Sequence, residues 1–262
     1  MLTDDQIADA AAALHQAELD GALIPPISLT YPDAGVDDAY RISMAVTELK
    51  VAAGRIVKGH KIGLTSKAMR SLTGATEPDY GTLFDNWFVL EGGAVPRSTM
   101  NDPLVEIEIA FVLAAPLVGP AINAVDVIRA TDFVLPCIEV VDTRQEGKGP
   151  NRLIDTIADA AACGRVVVGG CPARLTDIDV RRIGASLSIN GSVEQSGVAS
   201  AVMGNPINAV AWLANRLHEF GVQPQAGHVI LSGSFVKAVP FAVGDTVVAL
   251  FDRLGEVTFA AE

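Results

Sequence analysis

The sequence has no surplus of positive charge: 31 Asp and Glu stand against 19 Lys and Arg, a formal net charge of −12. Nucleic acid and anionic membrane surfaces demand a basic footprint, so neither is expected as a partner. Long apolar runs are missing as well. The longest, Ile109 to Ile122, is broken by Pro116, Gly119 and Pro120 and is too short to span a bilayer. The three cysteines, Cys137, Cys163 and Cys171, form no CxxC pair. An odd number of them among apolar neighbours fits a reducing compartment and small buried side chains, not a disulfide frame. The opening Met1-Leu2-Thr3-Asp4-Asp5 is acidic where a leader would be basic, so a cytoplasmic location is expected. No GxSxG elbow, GxxxxGK[ST] loop, helix-opening GxGxxG or HExxH is present, which leaves little support for the chemistries those motifs serve.

What is present is a folded chain of 262 residues, half of them hydrophobic, long enough to bury a sizeable core. Thr3 and Gln6 stand at capping-box spacing before Ile7, Ala10, Ala11, Leu14 and Ala17, which share one helical face. A second helix is expected from about 37 to 53, with Tyr40, Ile42, Ala45, Val46, Leu49 and Ala53 as its apolar positions and Gly54 as its stop. From Val57 onward short apolar runs alternate with Gly, Pro and Asn-Gly, the rhythm of strands and turns. Strands are expected at 57–63, 105–114, 133–141, 164–168, 185–189, 192–196, 228–232, 245–251 and 255–260, with Asn190-Gly191 as a hairpin turn. Helices are expected at about 123–131, 152–162 and 206–220. The fold class is therefore α+β, with a helical N-terminal region (1–56) followed by a β-rich domain (57–262).

Val105-Glu106-Ile107-Glu108-Ile109-Ala110-Phe111-Val112-Leu113 carries the most chemistry. Strand periodicity puts Glu106 and Glu108 on one face as neighbours, and apolar residues on both faces imply burial. Glu139 sits in a similarly apolar run, Phe133 to Val141. Buried like charges repel and lose hydration, which calls for a compensating cation or raised pKa values. Three oxygen ligands suit Mg2+ or Mn2+, with room left for water or a chelating substrate; a solvated edge strand, with Glu139 paired to an arginine, is the competing explanation. Lys61 lies between Gly59 and Gly63, where a backbone can approach a ligand closely, and a lysine there could stabilise an enolate or carry a proton. His60 is read as structural. Asp79, in the turn-like Glu77-Pro78-Asp79-Tyr80-Gly81, is either a turn cap or an acid/base group. Asp155 and Asp159 are spaced i, i+4, so at least one needs a partner or a pocket. Arg144, with Asp159, is expected at the substrate, although a structural salt bridge explains Arg144 equally well. Lys67 and Arg70 are further candidates for a distal carboxylate.

Taken together, Gly59-His60-Lys61-Ile62-Gly63-Leu64-Thr65-Ser66-Lys67, Glu77-Pro78-Asp79-Tyr80-Gly81, Val105-Glu106-Ile107-Glu108, Leu135-Pro136-Cys137-Ile138-Glu139, Asp155-Thr156-Ile157-Ala158-Asp159 and Leu231-Ser232-Gly233-Ser234 resemble the hydratase and decarboxylase branch of the fumarylacetoacetate hydrolase superfamily. The resemblance runs through nearly the whole chain. It implies a mixed β-roll core preceded by helices, a divalent metal on Glu106, Glu108 and Glu139, a catalytic Lys61 and acid/base work by Asp79. It also implies a homo-oligomer, with a decamer among the assemblies of hydratases, and leaves open a complex with a neighbouring pathway enzyme. The implied substrates are 2-hydroxy-2,4-dienoates and their 2-oxo-3-enoate tautomers from aromatic meta-cleavage. Hydration to a 4-hydroxy-2-oxo acid is the leading expectation, of a seven-carbon oxo-diacid first and a five-carbon hydroxypentadienoate next. Decarboxylation of 2-oxohex-3-enedioate is the nearest rival, and a non-catalytic metal-binding subunit is the rival of another class. One departure stands out: Asp159 is followed by Ala160 where similar proteins carry Asn.

Overall fold

The computed structural model describes residues 1–67, 70–71, 75–147 and 152–262. Thr3 and Gln6 close the expected capping box on helix α1 (Asp4–Asp20), and Gly21 ends it at φ 62°. Its buried residues are Ile7, Ala10, Ala11, Leu14 and Ala17, the five given by the helical period. After a single-turn α2 (Ile27–Thr30), helix α3 (Val36–Ala52) packs on α1 but is rotated from the expected face. Leu49 is exposed and Lys50 is buried, because the Lys50 ammonium finds Glu18 of α1 at 2.6 Å. These helices share one continuous core with the strands that follow, through residues such as Tyr40, Ile42, Ile62 and Tyr80.

The β region forms two sheets. The larger has the order β2-β1-β10-β5-β6-β7-β3, with β11 also paired to β5. Its central strands are β1 (Val57–Gly63), β10 (Val229–Leu231), β5 (Leu104–Leu113), β6 (Thr131–Val141) and β7 (Cys163–Val168). Next to β1 lies β2 (Asp79–Phe84); the short β3 (Phe88–Val89) pairs with β7, and β11 is Val239–Pro240. The sheet is mixed: β1 runs parallel to β10, while β5 and β6 are antiparallel. The smaller sheet runs β4-β13-β12-β8-β9, formed by β4 (Ala94–Val95), β8 (Gly184–Ile189), β9 (Ser192–Val198), β12 (Thr246–Phe251) and β13 (Gly255–Ala261). Its residues Leu187, Val247, Ala249, Val257 and Phe259 join the same core as the larger sheet's Val105, Ile107 and Ile109. The β8–β9 hairpin turns on Asn190 and Gly191, both at positive φ as a primed turn requires. Further helices among the described residues are α4 (Ala124–Ala130), α5 (Arg152–Ala158) and α6 (Pro206–Glu219), the last capped by Asn205 with Pro206 in its first turn. Among the described residues no helix is long and apolar enough to cross a membrane.

Three expectations are corrected here. The helix expected over 152–162 stops at Ala158, and Ala160, Ala161 and Ala162 instead form a turn at φ 51°, 52° and 57°. A left-handed conformation costs an L-residue about 1–2 kcal/mol, so this turn must be held by its surroundings. Second, Glu77 to Gly81 is not a turn throughout: Asp79 is buried and begins β2. Third, only Cys137 and Cys163 are small buried side chains, Cys171 being exposed.

Candidate metal centre

The antiparallel register of β5 and β6 sets Glu106 directly opposite Glu139 and Glu108 opposite Cys137. Period two along β5 keeps Glu106 and Glu108 on the same face. One carboxylate oxygen from each of the three glutamates lies within 4.8 Å of the others. Glu108 and Glu139 are fully buried and Glu106 partly so, which rules out the solvated-edge explanation. Burial, with the charge of Glu139 next, pushes Glu106 up to about 7 and Glu108 well above the usual carboxylate range. The Gly233 backbone N–H donates to Glu108 Oε2 at 2.6 Å, fixing that side chain from the end of β10.

Glu139 is the deepest of the three. Lys61 Nζ forms an ion pair with its Oε1 at 3.0 Å. Yet no N–H or O–H donor among the described residues meets either Glu139 oxygen in hydrogen-bonding direction. Its other neighbour is the Cys163 thiol, pushed well up by burial and by Glu139 itself. Three carboxylates gathered against one ammonium cost several kcal/mol unless a further cation completes the cluster or protons neutralise it. The donor set, all oxygen and all on adjacent strands, therefore fits a hard divalent ion.

Lys61 is 4 % exposed, and its ammonium also donates to the Ala161 carbonyl at 2.9 Å. Burial alone would pull its pKa down, but the charges of Glu139 and Asp79 outweigh that and raise it, so the side chain stays cationic at neutral pH. Two glycines make this packing feasible. Gly81 pairs with Lys61 across β1 and β2, and a Cβ there would lie 2.0 Å from the Ala160 carbonyl oxygen. Gly63 pairs with Asp79, and a Cβ there would lie 2.1 Å from Asp79 Oδ1. Burial, the largest influence, together with Glu139 raises the Asp79 carboxyl despite Lys61, and its Oδ1 has no hydrogen-bond partner among the described residues.

Five of the residues singled out from sequence, Glu106, Glu108, Glu139, Lys61 and Asp79, thus form one electrostatically coupled cluster. Arg144 and Asp159 do not present free groups to a substrate. They bind each other: Arg144 Nε donates to Asp159 Oδ1 at 2.5 Å and the Arg144 backbone N–H to Oδ2 at 2.8 Å. The rest of the guanidinium is taken by the carbonyls of Asp159 (2.8 Å), Cys163 (2.7 Å) and Asp142 (3.1 Å). The salt-bridge explanation of Arg144 is the one the structure bears out. Asp155 has its own partner, Ser28, through both backbone N–H and hydroxyl. Arg70 Nη1 donates to the carbonyls of Leu64 and Thr65 and so braces the loop after β1. His60 is buried, and burial depresses it to about 3, in keeping with a structural role.

The groups that sequence reasoning missed are mainly backbone: the Ala161 carbonyl and the Gly233 N–H. The glycines at 63 and 81 were the available signal, since each stands where a site residue leaves no room for a Cβ. The pair of half-buried Glu18 and buried Lys50 was also missed, because each sits on an amphipathic helix where a charge ordinarily faces solvent.

A mixed-sheet α+β fold whose adjacent central strands present three buried glutamates and a lysine defines a candidate metal-dependent site. Residues 61–260 match the family model described as fumarylacetoacetate (FAA) hydrolase C-terminal, and the chain belongs to that family. It is 44% identical over 253 residues to the 2-oxo-hept-4-ene-1,7-dioate hydratase of Escherichia coli, covering 95% of each chain. It is 40% identical to the 4-oxalocrotonate decarboxylase of Pseudomonas sp. strain CF600, covering 98% of this chain and 97% of that one. Among solved structures, the 4-oxalocrotonate decarboxylase from Pseudomonas putida G7, complexed with magnesium and adipate, superposes with a TM-score of 0.95 at 37% identity, covering 100% of this chain and 99% of the other.

Proposed function

We propose that the protein is a divalent-metal-dependent hydro-lyase that adds water to a 2-hydroxy-2,4-dienoate or its 2-oxo-3-enoate tautomer, giving a 4-hydroxy-2-oxo acid. The observation that carries this reading is the buried cluster of three carboxylates, Glu106, Glu108 and Glu139, with the single Lys61 ammonium against Glu139. Glu106, Glu108 and Glu139 would hold the ion, Mg2+ or Mn2+, which would supply Lewis-acid charge for an oxo-acid substrate.

The remaining work falls to side chains. Ketonisation moves the 2-hydroxyl proton to C5; water then adds its hydroxyl at C4, and a proton arrives at C3. Negative charge grows on the 2-oxygen during addition and is withdrawn as C3 is protonated. A cationic Lys61 beside the cluster opposes that charge, and its fixed position means little reorganisation is needed. Asp79 is placed for the proton transfers: burial raises its carboxyl above the usual range beside Lys61, and its Oδ1 has no hydrogen-bond partner among the described residues. The seven-carbon oxo-diacid is the leading substrate, supported by the 44% identity to a hydratase named for such a compound. A homo-oligomeric assembly and a cytoplasmic location accompany this reading.

A second reading has its own support in the similarity to decarboxylases. Loss of CO2 from 2-oxohex-3-enedioate also develops charge on a 2-oxygen, so the same lysine and ion would serve it. Mass spectrometry of products formed from the seven-carbon dienedioate, the five-carbon hydroxydienoate and 2-oxohex-3-enedioate separates the two. Gain of one water on either of the first two supports hydration and names the substrate class. Loss of CO2 from the third, without hydration of the others, overturns it.

A further inference from the structure

The Lys61 ammonium has two anchors, Glu139 and the Ala161 carbonyl, and the second is unusual in origin. It is presented by three consecutive residues in left-handed conformation, none of them glycine. Such a turn persists only where its surroundings over-determine it. Those surroundings are specific. Asp159, at the entrance, receives the Arg144 Nε, the Arg144 backbone N–H and the Thr143 hydroxyl. Arg144 Nη2 reaches the Asp159 carbonyl, and Nη1 the carbonyl of Cys163 at the exit. Inside this bracket the Ala162 N–H donates to the Asp159 carbonyl at 2.8 Å, and the Asp142 N–H to the Ala162 carbonyl at 2.7 Å. One guanidinium thus ties together both ends of the turn. On its other side the Arg144 guanidinium lies 5.7 Å from the Trp87 ring, and the indole N–H donates to Glu18, itself paired with Lys50. Behind the clamp, Glu18 of α1 and Lys50 of α3 line a small cavity together with Arg144 and Asp159.

We propose that Arg144 and Asp159 are positioning residues for Lys61: they hold the Ala160–Ala162 turn so that the Ala161 carbonyl fixes the ammonium beside Glu139. The kinetic part of this proposal rests on the function proposed above; the placement of the ammonium does not. Arg144→Lys keeps the charge but cannot bridge both ends of the turn, and Asp159→Asn keeps the shape while weakening the pair.

For the folded Arg144→Lys enzyme, kcat is expected to fall about 10- to 100-fold, as for a reacting group displaced by a fraction of an ångström. KM and Mn2+ affinity are expected to stay within roughly threefold, since the lost interaction acts through Lys61 and not through substrate binding. The NMR signal of the isotope-labelled Lys61 ammonium should shift or broaden. Adding Ala160→Gly, which favours the left-handed turn without the clamp, should recover at least part of kcat. Should Arg144→Lys not fold, Asp159→Asn and Thr143→Val, each removing less of the bracket, are expected to show the same split in graded form. A folded variant with unchanged kcat and an unchanged Lys61 signal overturns the proposal, as does a loss of kcat that merely tracks a loss of Mn2+ binding. If the parent enzyme turns over none of the oxo acids, the function proposed above fails, and the Lys61 signal alone decides the positioning.

Discussion

Glu106 and Glu139 stand directly opposite each other across β5 and β6, two like charges in a cross-strand pair at the centre of a sheet. Opposed like charges destabilise a sheet, and burial enlarges the penalty. Lys61 balances only one of them. The pair makes physical sense as a place where a divalent cation is stored in the fold's energetics.

The first consequence is a pH dependence that a metal should reverse. Burial, then Glu139, raises the folded-state pKa of Glu106 from 4.5 to about 7. A group held above its unfolded value contributes stability that is full below the unfolded pKa and lost as pH rises through the folded one. Chelator-treated protein should therefore lose thermal stability from about pH 5 to about pH 8, by roughly 5 °C if the loss is near 2 kcal/mol. Added Mg2+ or Mn2+ should restore it at the upper end. Differential scanning fluorimetry across pH, with and without metal, checks this.

Removing the ammonium should separate chemistry from metal binding. Lys61→Ala is expected to lower kcat by about 10²- to 10⁴-fold, while Mn2+ still binds to the three glutamates. Steady-state kinetics alongside Mn2+ titration makes the comparison, and normal turnover by the variant would remove Lys61 from the chemistry.

Gly81→Ala should be costly for a residue so small. The new Cβ would meet the Ala160 carbonyl oxygen at 2.0 Å, a backbone atom within the turn that presents the Lys61 acceptor. A loss of about 2–3 kcal/mol is expected from overpacking, read as a lowered midpoint in urea with an unchanged slope.

Ala160→Gly should act in the opposite direction. At φ 51° the alanine is strained, and relief of that strain outweighs the added freedom of the unfolded glycine. A gain of about 0.5–1 kcal/mol is expected, seen as a rise in the thermal midpoint of roughly 1–3 °C.

The strands that carry Glu106, Glu108 and Glu139 were legible because each is an apolar run in which a charge is conspicuous, and Lys61 because it stands between two glycines. Their convergence was not, since it depends on β5–β6 register and on β10 lying between β1 and β5. Asp79 was legible as a candidate but misplaced in a turn, because Pro78 and Gly81 are turn residues by composition whereas Gly81 is there to admit the Ala160 carbonyl. The left-handed turn at 160–162 was invisible. Three alanines in a row read as helix by propensity, and long-range bonds from Arg144, Asp142 and Lys61 override it. For the same reason Arg144 could not be told apart from a substrate ligand until its partners were seen.

The most direct test of the buried glutamate cluster is a Mn2+ titration of chelator-treated protein followed by electron paramagnetic resonance, run in parallel on Glu139→Gln. One Mn2+ per chain in the parent protein, with affinity weakened by at least about 10-fold in the variant, is the expected result. Stoichiometric binding that Glu139→Gln leaves untouched, or no binding by the parent protein at all, would contradict a metal centre on Glu106, Glu108 and Glu139.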